Sequence, residues 1–375
     1  MDGVYNAILR ANSFVNTMEV PSGFKLFERS GVSPYARCFA IFTKALCQDK
    51  HWLDIRRDEL IHRLNEDFSD FYFKKLMENI DLDLDKPVLQ LFCFTLSALS
   101  ILDGDLTKSN LVILKKYLDV DTISSMFRAG VGLGLPGSGN HAMFKAVLLI
   151  YADQFLGVDK KKEIEKWLKF NAESINRNGF WGNHSNINHL QFQNGYHQYE
   201  IFEYLGYEDA PWENAALNTL SLADHEGHFA PYPGGGGCYD YDAIFMLTSR
   251  YAGNIGQTDT LGKTLASLIR EQNRDGGFCE SKSLKRYNLP SLIPHVRHVM
   301  QQPKHLRVSS LVSGMNLARF KHTHIRTHWT DIDRRWDESN LWDTFFRLST
   351  INRVCSFLDL PDSKYFSSNN FPGIG

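Results

Sequence analysis

The chain has 375 residues, of which 43% are hydrophobic, 13% aromatic and 22% charged, and its formal net charge is −2. That composition builds a sizeable buried core and excludes a disordered chain, and the near-neutral balance excludes a nucleic-acid polyelectrolyte. The six cysteines are scattered with no CxxC pair, which argues against a disulfide framework or a structural zinc site and fits reduced thiols in a cytoplasm.

The first residues, MDGVYNAILRANSF, lack a basic region followed by an apolar one, so no signal peptide is expected. Apolar runs such as AVLLIYA fall far short of the ~20 residues of a membrane span, so no stable membrane insertion is expected either. ARCFAIFTKALCQ and VLQLFCFTLSALSIL read as helices. HAMFKAVLLIYADQFLG is apolar nearly all round, the pattern of a helix buried on every side.

From there a repeat takes over. The turns SINRNGFWGN, LADHEGHFAP and EQNRDGGFCE place Phe180, Phe229 and Phe278 at two intervals of 49 residues. A fixed period of that size signals an array of one supersecondary unit. Before each turn stands a segment with helical spacing of apolar residues: IEKWLKFNAESI, WENAALNTLSLA and LGKTLASLIREQ. After it comes a more apolar helix, as in YHQYEIFEYLG and YDAIFMLTSRYAG. Gly157 and Gly206 follow such helices as ordinary stops.

Beyond residue 280 the repeat breaks. Pro290, Pro294 and Pro303 fall where an inner helix is due, and residues 282–335 hold eleven Lys or Arg and six His against Asp331 and Asp333 alone. Residues 281–306 read as an irregular basic insertion or lid, with Arg326 among the cations that recognise an anionic group; a solvated face is the competing account. A helical pair resumes, with VSSLVSGMNLARF outside and LWDTFFRLSTINRVCSFLDL inside. The expected fold is all-α: one domain over residues 1–375, built from helical hairpins whose second helices face a common centre.

The turns EQNRDGGFCE and SINRNGFWGN resemble the QW-type repeats of terpenoid cyclases, and GCYDYDAIFML resembles both the acidic DxDD motif of those enzymes and the Cys-Tyr segment of protein prenyltransferases. The resemblance covers residues 160–280 well and implies an α/α toroid around a central cavity. It also implies proton-initiated cyclisation or isomerisation of a largely apolar small molecule, with Asp242 as the acid and Asp240 tuning it. Tyr239, Tyr241 and Phe245 would stabilise developing positive charge, with Cys238 beside them at the start of the helix. The motif departs from the family's at Ala243, which is not acidic, and at Gly236, which stands where a zinc-binding Asp would be.

The residues leave other readings open. Asp240 and Asp242 are a carboxylate pair sharing a proton, or a helix cap and its neighbour. Cys238, Asp240 and a histidine are zinc-ligand types without a known spacing, so no cofactor is expected, with zinc or another divalent metal as the minor alternative. The run of glycines before Cys238 reads as compact linkage rather than a phosphate cradle. The polar inner-helix starts also include His141, His184, Asn194, Tyr196 and His197. Asn194, His197 and a tyrosine resemble the equipment of toroid polysaccharide lyases, which makes a lyase or hydrolase acting on an acidic glycan the second reading. A non-catalytic toroid that binds a ligand or protein is the third. The expected partner is a small molecule, anionic at one end, and not a nucleic acid.

Overall fold

The computed structural model describes residues 2–78, 81–182, 187–250, 253, 255–284, 296, 299–300, 304, 306–308, 311–312, 324–367 and 371–374. It is 63% helix and 3% strand, with thirteen α-helices among the described residues, so the chain is all-α. Strand is confined to two-residue ladders, β1 (Glu19–Val20) with β2 (Gly23–Phe24) and β3 (His324–Ile325) with β4 (Arg334–Arg335). His184 and nearly all of residues 285–323, including most of the basic insertion and VSSLVSGMNLARF, lie outside the described residues.

The chain divides into two compact units, residues 1–48, 186–189 and 212–368 in one and 49–185, 190–211 and 369–375 in the other. The first contains α1 (Asp2–Thr17), α2 (Pro34–Leu46), α10 (Trp212–Leu220), α11 (Gly237–Thr248), α12 (Ile255–Glu271) and α13 (Leu341–Phe357). At its middle α13 packs on both α11 and α2. Leu348, Ile351 and Cys355 of α13 join Val4, Ile8 and Leu268 in one apolar core, while Phe39 and Phe42 of α2 meet Trp342, Phe345 and Phe346 ring to ring. Pro34 starts α2 at a position where its missing N–H has no helical partner to lose.

The second unit contains α3 (Lys50–Met77), α4 (Lys86–Ile101), α5 (Lys108–Asp119), α6 (Thr122–Arg128), α7 (Ser138–Leu156), α8 (Lys161–Glu173) and most of α9 (His189–Tyr204). Ala142–Leu149 of α7 are buried without a break, as the all-round apolar pattern predicts. Gly157 ends α7 in the left-handed region at φ 63°, and Gly206 follows α9 at φ 69°.

The repeat is real at the level of hydrogen bonds, with its register moved by one residue. In each turn an amide closes on the carbonyl four residues later: Asn176 to Phe180 at 2.8 Å, Asp224 to His228 at 2.8 Å and Asn273 to Gly277 at 2.9 Å. A glycine with positive φ stands third after each, Gly179, Gly227 and Gly276, at intervals of 48 and 49 residues. The aromatic residues in equivalent places are therefore Trp181, Phe229 and Phe278, and Phe180 is the predecessor of Trp181. The third turn adds a contact of its own, while the expected outer partner VSSLVSGMNLARF lies mostly outside the described residues. Phe278 bridges to Asn340, the N-cap of α13, and α12 packs against α13.

Candidate functional site

Helix α11 opens on Gly236 as N-cap, with no side-chain cap. Asp240, in its first turn, does not cap it either. Its buried carboxylate accepts the Phe229 amide at 2.8 Å through Oδ1, and takes His228 Nδ1 at 2.9 Å and the Arg347 guanidinium through Oδ2. Arg347, from α13, also donates to the carbonyls of Gly234 and Glu280. The other nitrogen of His228 faces Glu271 Oε1 at 3.1 Å. Burial alone would lower the His228 pKa, but Asp240 and Glu271 lift it to about 10 and keep the imidazole charged.

A second ion group adjoins the first. Arg334 of β4, wholly buried, donates to Glu280 Oε2 at 2.8 Å and lies 3.2 Å from Asp343 Oδ2. Tyr232 donates to Glu280 Oε1 at 2.5 Å. Four carboxyls, Asp240, Glu271, Glu280 and Asp343, thus meet three cations, His228, Arg334 and Arg347. Burial and then the charge of Glu280 push the Asp343 pKa up to about 7, against the pull of Arg334. With Asp343 protonated the charges balance.

The glycine run is explained by this cluster. A Cβ on Gly235, which sits at φ 67°, would strike the Asp240 carboxylate and lie 2.5 Å from His228 Nδ1. One on Gly236 would lie 2.7 Å from both Glu280 Oε1 and the Tyr232 hydroxyl, and one on Gly237 would strike Asp343 Oδ1. The backbone approaches the ion cluster too closely for any side chain.

Asp242 lies in the second turn of α11, not the first, and is 2% exposed. Two residues along a helix is a rotation of about 200°, so Asp240 and Asp242 project from different faces. The expected shared proton is not what this geometry builds: Asp240 has its charge answered by Arg347 and His228. Around α11, Tyr241 packs 5.4 Å from Phe346 and 6.5 Å from Phe245, and Arg353 lies 4.1 Å over the Phe245 ring. Tyr239 meets Tyr232 edge to face at 6.0 Å, and Cys238 and Tyr239 are partly exposed.

In the second unit the other polar candidates separate into different tasks. Lys86 donates to Asn140 Oδ1 at 2.9 Å, and Asn140 Nδ2 lies 2.8 Å from His197 Nε2. An amide that accepts from an ammonium turns its NH₂ outward, so His197 Nε2 is the acceptor and the ring proton sits on Nδ1. Burial and then the Lys86 charge lower the His197 pKa to about 3. Asn194 donates to the Leu135 carbonyl at 2.9 Å, and α7 approaches so closely there that a Cβ on Gly139 would overlap the Asn194 backbone. Tyr199 donates to Gly179 O at 2.7 Å, inside a repeat turn, and Tyr196 is wholly buried. His141 spans Gly137 O and Leu84 O at 2.9 and 2.8 Å. Arg326 is 66% exposed and contacts Asp331 O and Asp333 in the β3–β4 loop, a surface ion contact.

No family model, curated protein or solved structure matches the chain.

The residues that dominate the first unit's polar centre, His228, Glu271, Glu280, Arg334, Asp343 and Arg347, were not singled out from sequence. One signal was present: an acid and an arginine within LWDTFFRLST, an otherwise largely apolar helix, call for internal partners. Among the described residues no group of three or more His, Cys, Asp or Glu is arranged to hold a metal ion.

Proposed function

We propose that the chain is a helical-hairpin toroid enzyme of the terpenoid-cyclase kind, with Asp242 as the acid that protonates an alkene or epoxide of a largely apolar small molecule. The observation that carries this reading is the division between the two acids of α11. Asp240 has its charge met by Arg347 and His228, while Asp242 projects from another face, 2% exposed, on a helix flanked by aromatic rings. The proton passes from Asp242 to a substrate carbon, the π electrons form the new C–H bond, and the cation left behind is attacked by a neighbouring double bond. Loss of a proton elsewhere completes an isomerisation without change of mass. In this reading Tyr241 and Phe245 stabilise the cation.

The α9 residues serve an acidic glycan less well. Asn194 and Tyr199 are committed to backbone carbonyls, and an imidazole with a pKa of about 3 is a weak base near neutrality.

The test uses the full chain with an acyclic polyprenyl alcohol, its diphosphate and a polyene hydrocarbon, in D₂O. The expected product is an isomer of one of them carrying deuterium at the protonated carbon, absent with Asp242→Asn. An unchanged yield from that variant rejects the mechanism, and absence of any isomer from all three probes rejects the substrate class.

A further inference from the structure

Residues 371–374 belong to the second unit, and Pro372, Gly373 and Ile374 are buried although the segment forms neither helix nor strand. One peptide group of this segment is gripped at both edges. Its carbonyl, Pro372 O, accepts from the Ser97 hydroxyl of α4 at 2.9 Å, and its amide, Gly373 N, donates to Glu200 Oε1 of α9 at 3.0 Å. The C=O and N–H of a trans amide point opposite ways, so a hydroxyl on one side and a carboxylate on the other read its direction as well as its presence. The carboxylate supplies the stronger, charge-assisted half of the pair.

Helix α7 reads the next atom. A Cβ at position 373 would lie 2.8 Å from Val147 Cγ1 or Cγ2 at the nearer methyl and 3.1 Å from the other, with Cys93 Cβ at 3.5 Å. Val147 is wholly buried and, being β-branched, has little freedom to turn aside. Gly373 also sits at φ 86°, a region that L side chains rarely adopt. Space and conformation both demand glycine immediately after the gripped carbonyl.

Ser97 is arranged to release as well as to hold. Tyr151 donates to its oxygen at 3.2 Å, and its single proton has a second acceptor in Cys93 O at 3.0 Å, one turn back on α4. Withdrawal of the segment therefore strands no donor at Ser97, which removes the main cost of emptying a buried polar site.

We propose that α4, α7 and α9 form a peptide site that reads one Xaa–Gly amide, filled here by residues 371–374 as a displaceable internal ligand and open to a glycyl peptide of the same kind once that segment withdraws. The site is independent of the chemistry proposed for α11.

The test follows amide exchange in the full chain and peptide binding to the full-length variant Gly373→Val, with acetyl-Phe-Pro-Gly-Ile-amide as the probe. In the wild type the Gly373 amide is expected to exchange more slowly than in the free probe, yet at least about tenfold faster than the core amides of α4 and α7. Gly373→Val has no room for its new side chain, so its segment withdraws and the variant binds the probe saturably with a rise in Tm. The wild type, with its site filled, binds the probe at least about tenfold more weakly. Acetyl-Phe-Pro-Val-Ile-amide is expected not to bind, and Ser97→Ala added to the variant weakens the probe several-fold. Exchange of Gly373 only together with α4 and α7, or at the free-probe rate, overturns the inference whether or not the variant folds. A folded Gly373→Val that binds no probe, or binds the valine peptide equally, overturns it too.

Discussion

Asp240 and Thr344 occupy the same station after two repeat turns: each stands fourth in its helix and accepts the backbone amide of the turn's aromatic residue. Asp240 takes Phe229 N at 2.8 Å and Thr344 takes Phe278 N at 2.9 Å. In the second unit Gln191, near the start of α9, reaches the same turn position by donating to Trp181 O at 3.1 Å. The station is a fastening of the fold, and Asp240 fills it with a charge that Arg347 and His228 answer.

Asp240→Ala therefore removes an anion from between two buried cations. Breaking a buried ion pair from one side costs about 3–5 kcal/mol, and a loss of that order is expected in denaturant unfolding. Asp240→Asn keeps an acceptor for Phe229 N and should lose less. A variant Asp240→Ala with wild-type stability contradicts the fastening role.

The glycine run predicts a graded series. Gly157 has a left-handed φ and open space around its Cβ position, so Gly157→Ala meets only the backbone penalty of roughly 1–2 kcal/mol. Gly235→Ala adds a collision with Asp240 and His228 to a similar φ, and should be the more damaging by a clear margin. Equal melting temperatures for the two variants would show that the approach to the cluster is not limiting.

Two groups give the first unit a dependence on pH. Asp343 titrates at about 7 in the fold against 3.8 when unfolded, so its contribution is greatest below pH 3.8 and is lost as pH rises through 7. His228 titrates at about 10 against 6.5, so its contribution is complete below pH 6.5 and is lost as pH rises through 10. Amide exchange in α11 and α13 should quicken over both windows, and Asp343→Asn should remove the first while leaving the second. Identical profiles for that variant and the wild type contradict the assignment.

The fold class was legible because helical spacing, glycine stops and the turn period all agree, and Gly179, Gly227 and Gly276 carry that period in their backbone geometry. Phe180 misled by one residue because two aromatics stand together at 180–181, and only the turn's hydrogen bonds distinguish them. The glycines before Cys238 read as linkage because the groups they must clear, His228 and Asp240 nearby, Glu280 about 44 residues on and Asp343 about a hundred residues on, come together only in the fold. Asp240 resembled half of a catalytic pair because a motif records spacing, whereas its task is set by an arginine on another helix. Asn194 and His197 stand three residues apart on one helix, but Asn140 and Lys86, from two other helices, are what fix the imidazole.

The relay in the second unit yields its own expectation. The charge of Lys86 helps hold His197 neutral, so Lys86→Met should raise the His197 pKa above about 3 while burial keeps it below the ordinary histidine value. Nitrogen-15 shifts of the His197 ring across a pH titration report both the pKa and the proton on Nδ1. An unshifted pKa, or a proton on Nε2, contradicts the relay.

The central claim is that the two acids of α11 do different work, and it is tested most directly by measuring deuterated isomer formation and unfolding free energy on the same preparations of Asp240→Asn and Asp242→Asn. The account predicts that Asp242→Asn abolishes product formation with stability close to wild type, and that Asp240→Asn loses stability while the folded fraction still turns over. Turnover by Asp242→Asn, or a stable Asp240→Asn that is inactive, would contradict it.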